Sequence, residues 1–159
     1  MATLRNLALA LSALPLLAAA PAPIREAEAR DLVARQEQAW NAGDLSAWAA
    51  TFAANARFTD QTRTGDDMVT YGVASLPQAR AQAAKLRARA QVQDVSVVDR
   101  VILSPAGARV ISRKVTRIET EGRVRRSCAV SAQDLRRANG RVRSLGRTDT
   151  LYRCPPARR

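Results

Sequence analysis

Residues 36–60, Gln-Glu-Gln-Ala-Trp-Asn-Ala-Gly-Asp-Leu-Ser-Ala-Trp-Ala-Ala-Thr-Phe-Ala-Ala-Asn-Ala-Arg-Phe-Thr-Asp, constrain the fold more than any other stretch. They read as a helix, a glycine break, a second helix and then a strand. Gly43 can adopt the left-handed conformation that ends the first helix. Asp44 can then cap the second helix by accepting from its unpaired N–H groups. Trp48 and Phe52 lie four apart and share one helix face. Phe58 and Asp60 open an extended run.

Around this core the pattern changes once. Apolar residues Ile24, Ala27, Ala29, Leu32, Val33 and Trp40 recur at helical spacing, so a first helix is expected over 24–42 and a second over 45–54. Residues 61–74 contain Gly65, Asp66, Asp67 and Gly72. They read as an irregular loop with a short extended piece at 68–71. Ser75 can cap a third helix over 76–90, with Pro77 tolerated in its first turn. The second half is rich in Val, Ile and Arg and reads as four strands over 92–104, 108–120, 123–136 and 141–153. The last two meet at Asn139-Gly140, a strong hairpin signal. Helices first and antiparallel strands after argue for an α+β fold, with helices covering one face of a curved sheet.

The first residues stand apart. Arg5, the apolar stretch 7–17 and Ala18-Ala19-Ala20 follow the order of a secretory signal peptide, expected over 1–22. The apolar run is short for a bilayer span, and no second one follows, so no transmembrane span is expected after cleavage. A single domain over 24–154 and a short basic tail over 155–159 complete the chain. Export implies a periplasmic or secreted protein. In such a compartment Cys128 and Cys154 tend to pair. A two-residue turn at Asn139-Gly140 would place Cys128 opposite Leu151 and leave the two cysteines on opposite sides of the sheet. A longer loop, a bulge at Gly146 or a bent-back tail at Pro155-Pro156 would restore the pairing; otherwise the two remain separate thiols.

Helix–Trp40-Asn41-Ala42-Gly43-Asp44–helix with Trp48, then Phe52 and Arg57-Phe58-Thr59-Asp60, resembles the opening of nuclear transport factor 2-like (NTF2-like, SnoaL-like, cystatin-like α+β) domains. The resemblance extends over about 25–153. It implies a cone: a bent sheet wrapped around N-terminal helices, with a pocket at the open end. It also implies that two copies can pair through the outer sheet face. That superfamily includes isomerases, cyclases, dehydratases, ring-hydroxylase subunits, transport adaptors and non-catalytic binders, so the fold alone assigns no reaction.

The chain contains no histidine, which excludes an Asp–His mechanism; with two cysteines and scattered acids besides, no metal set and no cofactor are expected. Enzymes of the superfamily it resembles place a carboxylate base, often with a His or Tyr, in an apolar cone. Without histidine, the resemblance leaves a carboxylate with a phenol or a second carboxylic acid, in an apolar site that raises its pKa. Five residues are candidates for the pocket. Asp60 alternates with Phe58 on the early strand, or satisfies a turn. Asp99 interrupts an apolar series formed by Val95, Val97, Val101 and Leu103, unless a bulge turns it outward or an arginine pairs with it. Tyr71 offers a hydroxyl, Arg113 could clamp an anion or pair with Asp99, and Trp48 could touch a ligand or simply pack. The net charge of +12 is almost entirely arginine. It favours acidic partners through its field. With six aromatic residues, several of them committed to the core, specific nucleic-acid binding is not expected. The expected function is an exported domain binding a small apolar or anionic molecule in its cone. A proton-transfer enzyme (an isomerase or dehydratase, without metal) and an interaction module for polyanions or an envelope partner are the alternatives.

Overall fold

The computed structural model describes residues 22–156; the signal-peptide reading, but for Ala22, and the last three residues of the basic tail fall outside them. The elements are α1 (Glu26–Asn41), α2 (Leu45–Ala50), β1 (Phe52–Thr64), β2 (Asp67–Ser75), α3 (Leu76–Arg87), β3 (Gln91–Ser104), β4 (Gly107–Thr120), β5 (Arg123–Ala138) and β6 (Arg141–Tyr152). The strands form one curved, open sheet in the order β2-β1-β6-β5-β4-β3. All neighbours are antiparallel except β1 and β6, which run parallel. The fold is α+β, with the helices inside the curve. Among the described residues no helix is long and apolar enough to cross a membrane.

The helix–break–helix reading holds in detail. Gly43 has φ +76°, and Asp44 Oδ1 accepts from the N–H groups of Ser46 and Ala47 at 3.1 and 2.8 Å. The second helix is shorter than expected. It stops at Ala50, because Ser144 of β6 donates its N–H to Thr51 O and draws the chain into β1. Phe52 therefore begins a strand, yet its ring centroid still lies 5.0 Å from that of Trp48.

Residues 61–74 are not a loop. β1 continues to Thr64, turns through Gly65 (φ +62°) and Asp66, and returns as β2. This hairpin is mostly exposed, Met68, Val69, Tyr71 and Val73 of β2 included, so backbone pairing rather than burial of an apolar face forms it.

The outer edge of β3 is covered by side chains, chiefly from α1. Asn41 donates to Asp94 O and accepts from Asp94 N at 2.8 and 2.7 Å. Glu37 accepts from Ser96 N, Arg30 donates to Val98 O, and Arg87 of α3 donates to Val92 O. An edge strand presents unpaired backbone groups that invite another chain, and these contacts satisfy them. They also fix α1 across the concave face.

Cys128 and Cys154 form a disulfide, with Cα atoms 5.2 Å apart. The register explains how. From Ala138↔Arg141 to Leu135↔Ser144 the strands follow the two-residue turn, but from Ala132↔Thr148 onward β6 has taken up one extra residue. Cys128 consequently faces Tyr152 rather than Leu151. Cys154, two residues further on, falls on the same side. The bulge contains Gly146, with φ +127°.

Two apolar clusters fill the cone. One, of Ile24, Leu32, Val33, Val110 and Leu135 among others, lies between α1 and β4–β5. The second, of Trp48, Phe52 and Ala56 with Trp40, Phe58, Leu76 and Ala79 against them, lies toward α3 and β1.

Candidate functional site

The inner face of the sheet carries charge where apolar residues would be expected. Along β4 the inward positions are Ala108, Val110, Ser112 and Lys114, all buried. Along β6, past the bulge, Arg147 and Asp149 turn inward. Asp149 is only 5% exposed and Lys114 8%. Lys114 Nζ lies 2.5 Å from Asp149 Oδ2, Arg147 Nε lies 3.0 Å from the same oxygen, and Ser131 donates its hydroxyl to Asp149 Oδ1. Burial alone would push the Asp149 carboxyl up. The charges of Arg147 and Lys114, with hydrogen bonds from Lys114 and Ser131, outweigh it and hold the pKa below the ordinary value.

Beside this network is a small inner void of about 20 Å³, room for about one water. Gln36 Nε2, Asp94 Oδ1 and Gln133 Oε1 are buried next to it without a hydrogen-bond partner among the described residues.

Above the network the cone opens into a cavity of about 430 Å³. Trp40, Trp48 and Phe58 form its aromatic wall, with the Trp48 centroid 5.5 Å from Trp40 and 5.6 Å from Phe58. α3 contributes Ala79, Ala83 and Leu86. The rim is polar: Asp60, Tyr71 and Arg147. Asp60 stands beside Asp149 across the parallel β1–β6 ladder and beside Gly72 across β1–β2. Gly72 has no side chain to crowd it; a Cβ there would sit 3.5 Å from the Asp60 carboxylate. Tyr71 is the extra residue of a bulge on β2, which brings it to the rim. Although Asp60 is exposed at the mouth, partial desolvation by the cavity walls raises its pKa, and the Asp149 charge raises it further. Desolvation, then Asp60 and Asp149, raise that of Tyr71.

Of the five residues expected at the pocket, Asp60, Tyr71 and Trp48 line this one cavity. Asp99 and Arg113 do not. They lie on the outer face, where Arg113 Nε and Nη2 donate to the Asp99 carboxylate at 2.8–3.0 Å. The guanidinium holds that carboxyl below its ordinary value. The apolar series that suggested an inward Asp99 is not one face. Asp99 is the extra residue of a bulge between Val98 and Arg100. Before it Val95 and Val97 face solvent, and after it Val101 pairs with the buried Val110.

The sequence reading missed Lys114, Arg147 and Asp149. A lysine in register with Val110 and Ser112 was a legible signal for the first. Among the described residues no group of three or more His, Cys, Asp or Glu is placed to hold a metal ion.

No family model matches the chain, and no curated protein matches it. Solved structures do. A ketosteroid isomerase-like protein from Erwinia carotovora superposes with a TM-score of 0.62 at 14% identity, covering 82% of this chain and 100% of that one. An NTF2-like protein with a cystatin-like fold from Novosphingobium aromaticivorans gives 0.61 at 16%, covering 79% and 80%. The fold is NTF2-like. The β subunit of benzoate 1,2-dioxygenase from Burkholderia mallei shares this NTF2-like fold at 0.62 and 12%, covering 81% and 91%. At these identities the NTF2-like likeness speaks to architecture and not to chemistry.

Proposed function

We propose that the cone receives a small, largely apolar molecule bearing one anionic end. The observation that carries this reading is the pairing of the Trp40–Trp48–Phe58 wall with Arg147 at the rim of one 430 Å³ cavity, a size typical of small-molecule sites. The charge balance supports an anion. Lys114 and Arg147 together face one ionised buried carboxylate, Asp149, and leave a net positive charge toward the cavity. Asp60, whose pKa is raised, opposes it less than an ordinary aspartate would. Export to the periplasm or beyond belongs to the same proposal, and the Cys128–Cys154 disulfide supports it.

The test uses 8-anilinonaphthalene-1-sulfonate, an apolar ring system with one sulfonate. Saturable one-to-one binding that quenches tryptophan fluorescence is expected. Gly72→Phe, which places a ring at the mouth beside Asp60, should weaken it about tenfold or more. Binding that never saturates, or that ignores Gly72→Phe, removes the cone as the site.

A second reading, proton transfer at Asp60 with Tyr71 nearby, is favoured by the raised pKa of Asp60. Asp60→Asn separates the two. As a binder, the variant keeps or gains affinity for the anionic probe. As an enzyme, it loses deuterium uptake from heavy water into a ligand co-purified from the native host, while the parent protein shows that uptake.

Pairing of two copies through the outer sheet face is also proposed. Val95, Val97, Val130 and Tyr152 are exposed there. Sedimentation should show a dimer that Val97→Lys dissociates; a monomer at all concentrations rules the pairing out.

A further inference from the structure

A second cavity, of about 440 Å³, lies between α1 and α2 on one side and the β5–β6 hairpin on the other, and shares no lining residue with the cone. Six charged side chains line it: Glu28, Asp31, Arg35, Arg137, Arg141 and Arg143. Their balance is uneven. Arg137 is committed, with Nη2 donating to both oxygens of Glu28 at 2.8 Å and Nε donating to Ala22 O at 2.9 Å. Glu28 is likewise committed. The hydrogen bond from Arg137, followed by the Arg25 backbone N–H, lowers its pKa to about 2. This pair cancels.

Arg143 is anchored but not neutralised. Its Nη1 donates to Ala50 O and Phe52 O, at 2.8 and 3.2 Å, where α2 ends and β1 begins. Those carbonyls fix the guanidinium without matching its charge. Arg35 and Arg141 have no hydrogen-bond or ion-pair partner among the described residues, and Asp31 has none either. Three guanidinium groups thus face the groove against one carboxylate. Arginine is the side chain whose planar fork suits the oxygens of a tetrahedral anion.

We propose that this groove is a separate binding site for a group carrying clustered phosphate charge, held by Arg35, Arg141 and the pre-positioned Arg143. The shared chemistry is the phosphate, whether free in solution or borne by a lipid headgroup.

The experiment compares the full chain with two double variants of equal charge loss, Arg35→Ala/Arg141→Ala and Arg125→Ala/Arg126→Ala. The second pair lies on the exposed start of β5, away from any groove described here. Titration with inorganic pyrophosphate should saturate at one per chain. The first variant should lose about tenfold or more in affinity, and the second should change little. Asp31→Asn should move the other way, tightening binding roughly two- to threefold, which a folding defect cannot mimic. Vesicles of phosphatidylcholine doped with phosphatidic acid form the second arm; the same variant pattern there, stronger than with pyrophosphate, assigns a headgroup source. Equal losses in both double variants would show a diffuse basic field and overturn the proposal, as would failure of both probes to saturate.

Discussion

Gly146→Ala is expected to destabilise the domain by more than about 4 kcal/mol, the range reserved for severe backbone conflicts. Two causes act together. Gly146 has φ +127°, where a side chain is strained whatever the space. The space is also missing: a Cβ at this position would stand 1.8 Å from Arg57 O and 2.6 Å from Arg57 N on the neighbouring β1. Ser144 depends on the same geometry, since its hydroxyl donates to Gly146 O and accepts from Gly146 N. Gly65→Ala provides the control. Gly65 also has a left-handed φ, +62°, but nothing lies within 4 Å of its Cβ direction, so its cost should stay near 1–2 kcal/mol, about the intrinsic penalty. Urea denaturation of the three proteins measures both. Equal costs would show that the close approach of β6 to β1 at Gly146 contributes nothing.

More than stability depends on this residue. The bulge moves Cys128 opposite Tyr152 and so allows the disulfide. It also exchanges the faces of everything beyond it on β6. Continued without a bulge, the register of the Asn139-Gly140 turn would place Asp149 and Arg147 on the outer face. With it, both enter the cone. A single glycine thus sets the cross-link and the charged floor of the site.

That dependence explains which features the sequence disclosed. Gly43-Asp44 and Asn139-Gly140 are local signals, with the turn chemistry and the element boundary only a few residues apart, and the structure follows them. β2 reads as a loop because Gly65, Asp66, Asp67 and Gly72 are turn residues, and its apolar residues Met68, Val69, Tyr71 and Val73 are exposed rather than packed on a core. For Asp99 the outward alternative holds, because a bulge divides its strand into two alternations of opposite phase and Arg113 pairs with it. The Lys114–Asp149 pair was hidden for a further reason. Its members are 35 residues apart and meet only after the β6 bulge has chosen their side. Wherever a face assignment depended on a bulge the sequence could not fix, it was unreliable; the elements themselves were mostly readable.

The second large effect is expected at that pair. Lys114→Met leaves the buried Asp149 carboxylate with Arg147 as its one remaining cation among the partners seen here, and should cost about 3–5 kcal/mol. The lower end is expected, because Arg147 remains within 3.0 Å. Asp149→Asn removes the acceptor of Lys114 and should cost a similar amount for the reverse reason, a buried ammonium without its counter-ion. The double variant Lys114→Met/Asp149→Asn leaves neither charge stranded. Arg147 reaches the open cavity, and the amide introduced at 149 can still accept from the Ser131 hydroxyl. The double variant should therefore be more stable than either single one, with a coupling of roughly 1–3 kcal/mol. The pH dependence carries the same signature. A carboxyl held below its ordinary pKa contributes stability that is present above the unfolded-state pKa and is lost as the pH falls through the folded value. In the parent protein that loss lies on the acid side of the ordinary aspartate range. Lys114→Met should move it to higher pH, and Asp149→Asn should abolish it. Additive single-variant costs, or an acid limb unchanged by Lys114→Met, would mean that Lys114 and Asp149 do not form the pair on which the floor of the cone is built.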